Sequence, residues 1–324
     1  MTTAVTEEVF ARAFSQPPEL GETHAIVVVQ GGKVVAEQYG PDTGPDTTLI
    51  SWSMAKSITQ ALVGLLVRDG LLDVAAPAAV PRWQGADDPR SVITLDHLLH
   101  MRSGLRFIED YVNTDAGVAN VIDMLFGAGA DDVAAYAESC PLEHEPGCVW
   151  SYSSGTTNVI SALAGRVVAD NGYGRGELGM RAYLERELFA PIGMTSAIPR
   201  FDAAGTFIGS SYVYATARDF ARFGELYLHD GIWNGARLLP EGWVDYARTV
   251  TSPPAPPEQI HGYGAHWWLW DDDLETFGAH GYEGQYTLVV PPLDLVVVRL
   301  GKSPVELQPA VKADLHRLIE SYAS

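Results

Sequence analysis

The chain has 324 residues, 47% of them hydrophobic, enough to enclose a large core without disulfide or metal staples. Its 41 acidic against 21 basic residues leave a formal charge of -20, which repels polyanions and argues against a nucleic-acid or anionic-membrane partner. The opening stretch MTTAVTEEVFARAF lacks the basic start and apolar run of an export signal, no later segment approaches a membrane span, and Cys140 and Cys148 lack metal or redox spacing; the expectation is a cytoplasmic protein with two structural thiols.

In chain order, residues 4–14 read as a short helix. HAIVVVQ and KVVAEQY, separated by Gly31-Gly32, then read as a β-hairpin. From Ser53 to Asp69 apolar residues recur at helical spacing, and Gly70 is placed to cap the end; Val63 and Val67 make the second face apolar too, so this helix is expected to be central and buried. Residues 70–200 mix helical patterns with turns and contain no convincing strands. A helix over 217–229 is followed by YGAHWWLW, GQYTLVVPP and DLVVVRLG, expected as neighbouring antiparallel strands, and by a closing helix over 305–322. The N-terminal hairpin and the C-terminal strands are expected to share one sheet, so residues 1–50 and 205–324 form an α/β part and residues 51–204 an inserted helical part that carries the Ser53 helix. The proline cluster at residues 251–259 is a loop, too short for a domain linker.

Three segments can carry chemistry. SMAK puts Ser53 and Lys56 three residues apart at a helix start, so both side chains leave from one face, as a nucleophile and its base require. The helix start also offers unpaired amides to a developing oxyanion. Lys56 is one of four lysines and sits in an otherwise apolar helix, where burial would lower its pKa into the range of a usable base. In WSYSSG, Tyr152 precedes a second apolar helix and is a candidate proton donor. In GAHGYEGQY, Gly281 and Gly284 let the backbone approach a ligand along a strand edge.

With these motifs in this order, the chain resembles the serine β-lactamase and penicillin-binding-protein superfamily, whose signature includes SxxK. Within it the sequence is similar to class C β-lactamases, family VIII carboxylesterases and 6-aminohexanoate oligomer hydrolases. LDHLLHMRSGL, PGCVWSYSSG, YVYATARDFARFG and PLDLVVVRLG extend the match over nearly the whole chain. The resemblance implies an α+β fold of β-lactamase/transpeptidase type, an antiparallel sheet flanked by helices with a mostly helical insertion. It implies that Ser53 is acylated, Lys56 accepts its proton and Tyr152 matches the tyrosine of the YxN motif. It also implies an oxyanion hole formed by the Ser53 and Tyr282 backbone N–H groups. Two departures stand out: Ser154 replaces the asparagine of YxN, and Ala279 replaces the lysine of the KTG strand motif, with His280 and Gly281 following. The missing cation argues against efficient β-lactam hydrolysis. Tyr111, in FIEDYVNTDAG, resembles a tyrosine carried over the active site by a loop of the 6-aminohexanoate oligomer hydrolases.

The expectation is a serine hydrolase acting on small esters or linear amides through an acyl-enzyme. A β-lactamase, a D-amino-acid peptidase and a non-turnover penicillin-binding-like sensor domain are the alternatives. Tyr111, Ser154, His266, Trp268, His280 and Gly281 are the candidate substrate contacts, with Trp267 and Trp270 as further walls of an apolar pocket. The acidic runs at Asp131-Asp132 and Asp271 to Asp273 lack histidine or glutamate partners, so no metal and no cofactor are expected. A small-molecule substrate is the expected partner, with a monomer or homodimer as the assembly.

Overall fold

A computed structural model describes residues 4–85, 87–110, 119–251 and 262–323. The β-branched run of β1 (Glu22–Gln30) turns through Gly31 and Gly32, both at positive φ, into β2 (Lys33–Tyr39), as a two-residue hairpin turn requires. The last strands are β8 (Gly262–Tyr263), β9 (Trp268–Leu269), β10 (Phe277–Gly281), β11 (Gln285–Val290) and β12 (Leu295–Lys302). They join the hairpin in one seven-stranded antiparallel sheet of order β2-β1-β12-β11-β10-β9-β8. β12 lies inside the sheet, with Val298 opposite Val27 and Thr287, and is buried almost throughout, hence an apolar sequence interrupted within the buried stretch by Arg299.

One face of this sheet is covered by α1 (Ala4–Phe14) and α10 (Gln308–Glu320), through Val9, Phe10, Leu315 and Leu318 against Ile26, Val28, Leu288 and Val297. The other face meets α2 (Ala55–Arg68) and α8 (Ala217–Leu228) in the main core. Twelve of the fourteen α2 residues are buried, and Gly70, at φ +70, follows its end. Behind α2 lie α3 (Leu95–Leu99), α4 (Asn120–Phe126), α5 (Val133–Ser139), α6 (Ser154–Val168) and α7 (Gly176–Leu184), with α9 (Trp243–Arg248) near the α2 midpoint.

Four details depart from the sequence-based expectations. The Ser53 helix opens with a 3-10 turn, Trp52–Met54, and becomes α-helical at Ala55. The last helix likewise begins with a 3-10 turn, Val305–Leu307, before α10 takes over with Pro309 in its first turn. YGAHWWLW is two short strands, because His266 takes a left-handed conformation, φ +60, between them. Finally, β3 (Leu49–Ile50), β4 (Ile198–Pro199) and β5 (Val213–Ala215) form a small second sheet in the order β3-β5-β4, from strands too short to leave a periodic signal. A further two-stranded ribbon pairs β6 (Ile232–Trp233) with β7 (Ala236–Arg237). No helix among the described residues is long and apolar enough to cross a membrane.

Candidate active site

The small second sheet holds the segment that leads into Ser53. Ser51 N–H donates to Val213 O at 2.9 Å, and Val213 N–H returns to Ser51 Oγ at 3.0 Å. Trp52 then adopts φ +43, a strained value for a bulky residue, with its ring against Tyr212 at 5.8 Å and Tyr282 at 5.7 Å. This bend opens the 3-10 turn that carries half-buried Ser53. β10 closes in from the other side: a Cβ on Gly281 would lie 2.3 Å from Ser51 O, so only glycine lets the strand pass this near. The backbone that Gly281 accommodates is thus the protein's own, at Ser51.

One turn into the helix, Lys56 is 1% exposed. Its Nζ lies 3.0 Å from Ser53 Oγ, 2.9 Å from Ser154 Oγ and 3.0 Å from Ser210 O. Burial pulls its pKa down to about 8, against a smaller upward pull from the Glu109 carboxylate. The Tyr152 ring centroid lies 4.8 Å from the same nitrogen. Burial pushes the Tyr152 hydroxyl far up, partly offset by hydrogen bonds with Ser53 and Trp268, so at neutral pH the group is a phenol.

Ser154 is entirely buried, which removes it from the candidate substrate contacts. Its hydroxyl receives the Lys56 bond and donates to Glu109 Oε1 at 2.5 Å, while its N–H donates to Glu109 Oε2 at 2.7 Å. Glu109 therefore sits at the start of α6, where a carboxylate meets unpaired amides and the positive end of the helix. Sequence reasoning passed over Glu109. Its one trace is an acidic residue between Phe107 and Tyr111, and its partner lies 45 positions away.

The other candidates fall into two groups. Trp268 reaches the site: its ring lies 5.4 Å from that of Tyr152, in a cluster with Trp150 and Tyr263. His280 stacks behind it at 5.6 Å and 10°, and its Nε2 accepts the Trp270 indole N–H at 2.8 Å, so that nitrogen is already engaged. In register His280 faces the same side of the sheet as its partner Tyr286, whereas Ala279 points into the core beside α2. His266 is a core residue rather than an exposed wall. It is 2% exposed, Nδ1 donates to Leu99 O at 2.7 Å, and Nε2 accepts from Thr157 Oγ1 at 2.9 Å. Trp267 is fully buried against Phe223 and Tyr227, in the core. Trp270 packs with the α1–α10 side of the sheet. Tyr111 lies outside the described residues. Among the described residues no group of three or more His, Cys, Asp or Glu is placed to hold a metal ion; Cys140 and Cys148 are free thiols.

The geometry groups the Ser53 hydroxyl, a buried amine of lowered pKa and a neutral phenol, and the sequence profile of the family described as Beta-lactamase matches residues 11–320. The chain belongs to the β-lactamase family. This β-lactamase-family hydrolase is 28% identical over 298 residues to a 6-aminohexanoate-dimer hydrolase of Paenarthrobacter ureafaciens, covering 87% of this chain and 73% of that protein. Its fold superposes on a Bacillus anthracis protein provisionally assigned as a 6-aminohexanoate-dimer hydrolase with a TM-score of 0.79 at 21% identity, covering 98% of this chain and 81% of the other. A solved family VIII carboxylesterase gives 0.68 at 15% identity, covering 97% and 98%. These two superpositions establish the β-lactamase/transpeptidase-like fold of the hydrolase.

Proposed function

We propose that this protein is a serine hydrolase that cleaves small esters or linear amides through an acyl-enzyme on Ser53. The observation that carries the reading is the 3.0 Å approach of Lys56 Nζ to Ser53 Oγ by an amine whose burial brings its pKa to about 8. In its neutral form the amine keeps two N–H bonds, to Ser154 Oγ and Ser210 O, and turns its lone pair to the Ser53 hydroxyl.

As Ser53 Oγ attacks the carbonyl carbon, its proton passes to Lys56 Nζ. The carbonyl oxygen becomes an oxyanion received by the backbone N–H groups of Ser53 and Tyr282. When the carbon–heteroatom bond breaks, the Tyr152 hydroxyl gives its proton to the departing alcohol or amine, and the Lys56 ammonium restores that proton. Water then attacks the acyl-enzyme through the same groups in reverse, leaving a carboxylic acid and free Ser53. Glu109, through Ser154, holds the amine in line and favours its transient ammonium form.

The dimer of an amino acid in the name of the Paenarthrobacter relative, which is joined by an amide, and the ester in that of the carboxylesterase both support this substrate range. Ala279, 2% exposed, supplies no cation where the family motif carries lysine, which disfavours β-lactam carboxylates. A panel of p-nitrophenyl esters, linear amides, D-amino-acid amides and nitrocefin tests the reading. Turnover of esters or linear amides, with nitrocefin well below them in kcat/KM, is expected. Nitrocefin turnover matching that of simple esters would contradict it.

A further inference from the structure

The turn that follows β10 is fastened from beneath by a buried cation. Residues 282–284 reverse the chain between β10 and β11, with Glu283 at φ +59 and Gly284 at φ +79. A side-chain-bearing residue at such a φ needs its surroundings to hold it there. Arg299, on β12 and 1% exposed, supplies that hold. Its Nη1 donates to Gly284 O at 2.7 Å and Glu283 O at 3.3 Å. Its Nη2 donates to Ser303 Oγ at 2.7 Å, Glu22 O at 2.9 Å and Thr23 Oγ1 at 3.3 Å. Among the described residues no carboxylate lies within ion-pair distance of it, so a whole guanidinium fork is spent on carbonyls and hydroxyls. Gly284 and Gly301 admit it, since a Cβ would lie 2.7 Å from Nη1 at the first and 2.6 Å from Nη2 at the second.

Gln285 completes the clamp. Its amide donates to Tyr282 O at 3.0 Å and Gly301 O at 2.6 Å, and its carbonyl accepts from Gly301 N–H at 2.9 Å. Ser303 N–H donates to Glu283 O at 2.9 Å. Thus the turn carrying Tyr282 is tied to the β12 end and the β1 start from both faces of the sheet, by Arg299 on the side opposite α2 and by Gln285 on the α2 side. Fully satisfied buried networks of this kind rigidify what they hold.

We infer that Arg299 is a positioning residue for the reaction: by forking between the 283–284 carbonyls and the Glu22–Ser303 side, it fixes the height of the Tyr282 N–H beside Ser53. The inference rests on the proposed role of that N–H as second oxyanion donor. A donor of this sort works only where it meets the developing charge, so sub-ångström slack in the turn lowers turnover while leaving ground-state binding nearly intact.

The test compares full-length Arg299→Met, Arg299→Lys and Leu318→Ala, the last a buried core substitution on the same side of the sheet that serves as a stability control. Backbone hydrogen–deuterium exchange is followed over residues 281–286, and kcat is expressed per phosphonate-labelled serine. Arg299→Met is expected to speed exchange in the turn and to lower kcat per labelled serine, each by about tenfold or more, with KM within about twofold. Arg299→Lys keeps the charge but not the fork, so kcat is expected to stay low even where stability recovers. Leu318→Ala should leave both readouts unchanged. Unchanged kcat per labelled serine in the arginine variants, or a fall no larger than in Leu318→Ala, would overturn the inference. Were the wild type labelled at a residue other than Ser53, the parent reading would fail, and the catalytic part of this inference with it; the exchange data would still show whether Arg299 holds the turn.

Discussion

Burial of Lys56 gives the proposed proton path its pH dependence. With a pKa near 8, the amine is mostly protonated at pH 6 and mostly neutral at pH 9, so kcat/KM for a neutral ester is expected to rise through about pH 8. Glu109 pulls that pKa upward, so Glu109→Gln is expected to move the rising limb to lower pH; a limb that stays in place would separate Glu109 from the proton path. Lys56→Ala and Tyr152→Phe are each expected to lower kcat at least about a hundredfold, and the double variant to be little worse than the poorer single one, because both serve one transfer. Steady-state kinetics of the three variants checks this, and fully multiplicative losses would contradict it. At this scale Ser53, Lys56 and Tyr152 were legible because each lies in a short motif. Ser154 was legible as a position but not as a role: what it touches, Glu109, depends on how the α6 start meets a distant segment.

Among the elements, His266 joins three helices. Its ring bridges Leu99 on α3 and Thr157 on α6, and its carbonyl accepts the Ser57 hydroxyl from α2 at 2.7 Å. Both ring nitrogens are committed in the neutral form, and burial depresses the pKa to about 3. The unfolded chain takes up a proton below about pH 6.5 that the folded one refuses, so this stability is present above pH 6.5 and is withdrawn as pH falls toward 3. His266→Gln is expected to lose about 1–2 kcal/mol less than the wild type between pH 7.5 and pH 5, measured by urea unfolding. Equal losses would remove His266 from the acid sensitivity. In sequence His266 read as a pocket wall because its neighbours are tryptophans. The positive φ that turns it inward between β8 and β9 left no mark, unlike the glycines that announced the β1–β2 turn and the end of α2.

At the scale of the molecule, the long-range pairing of β1 with β12 was foreseeable. Two buried apolar runs at opposite ends of a chain need partners, and a helical stretch between them offers none. The small sheet of β3, β4 and β5 was not, since two- and three-residue strands carry no periodicity, yet it fixes the bend that presents Ser53. That presentation is the centre of the account, and intact-protein and peptide mass spectrometry after reaction with an alkyl phosphonate tests it most directly. One adduct per chain, mapped to Ser53 and absent from folded Ser53→Ala, is the expected result. An adduct that persists at unchanged stoichiometry in Ser53→Ala would contradict it and place the nucleophile elsewhere.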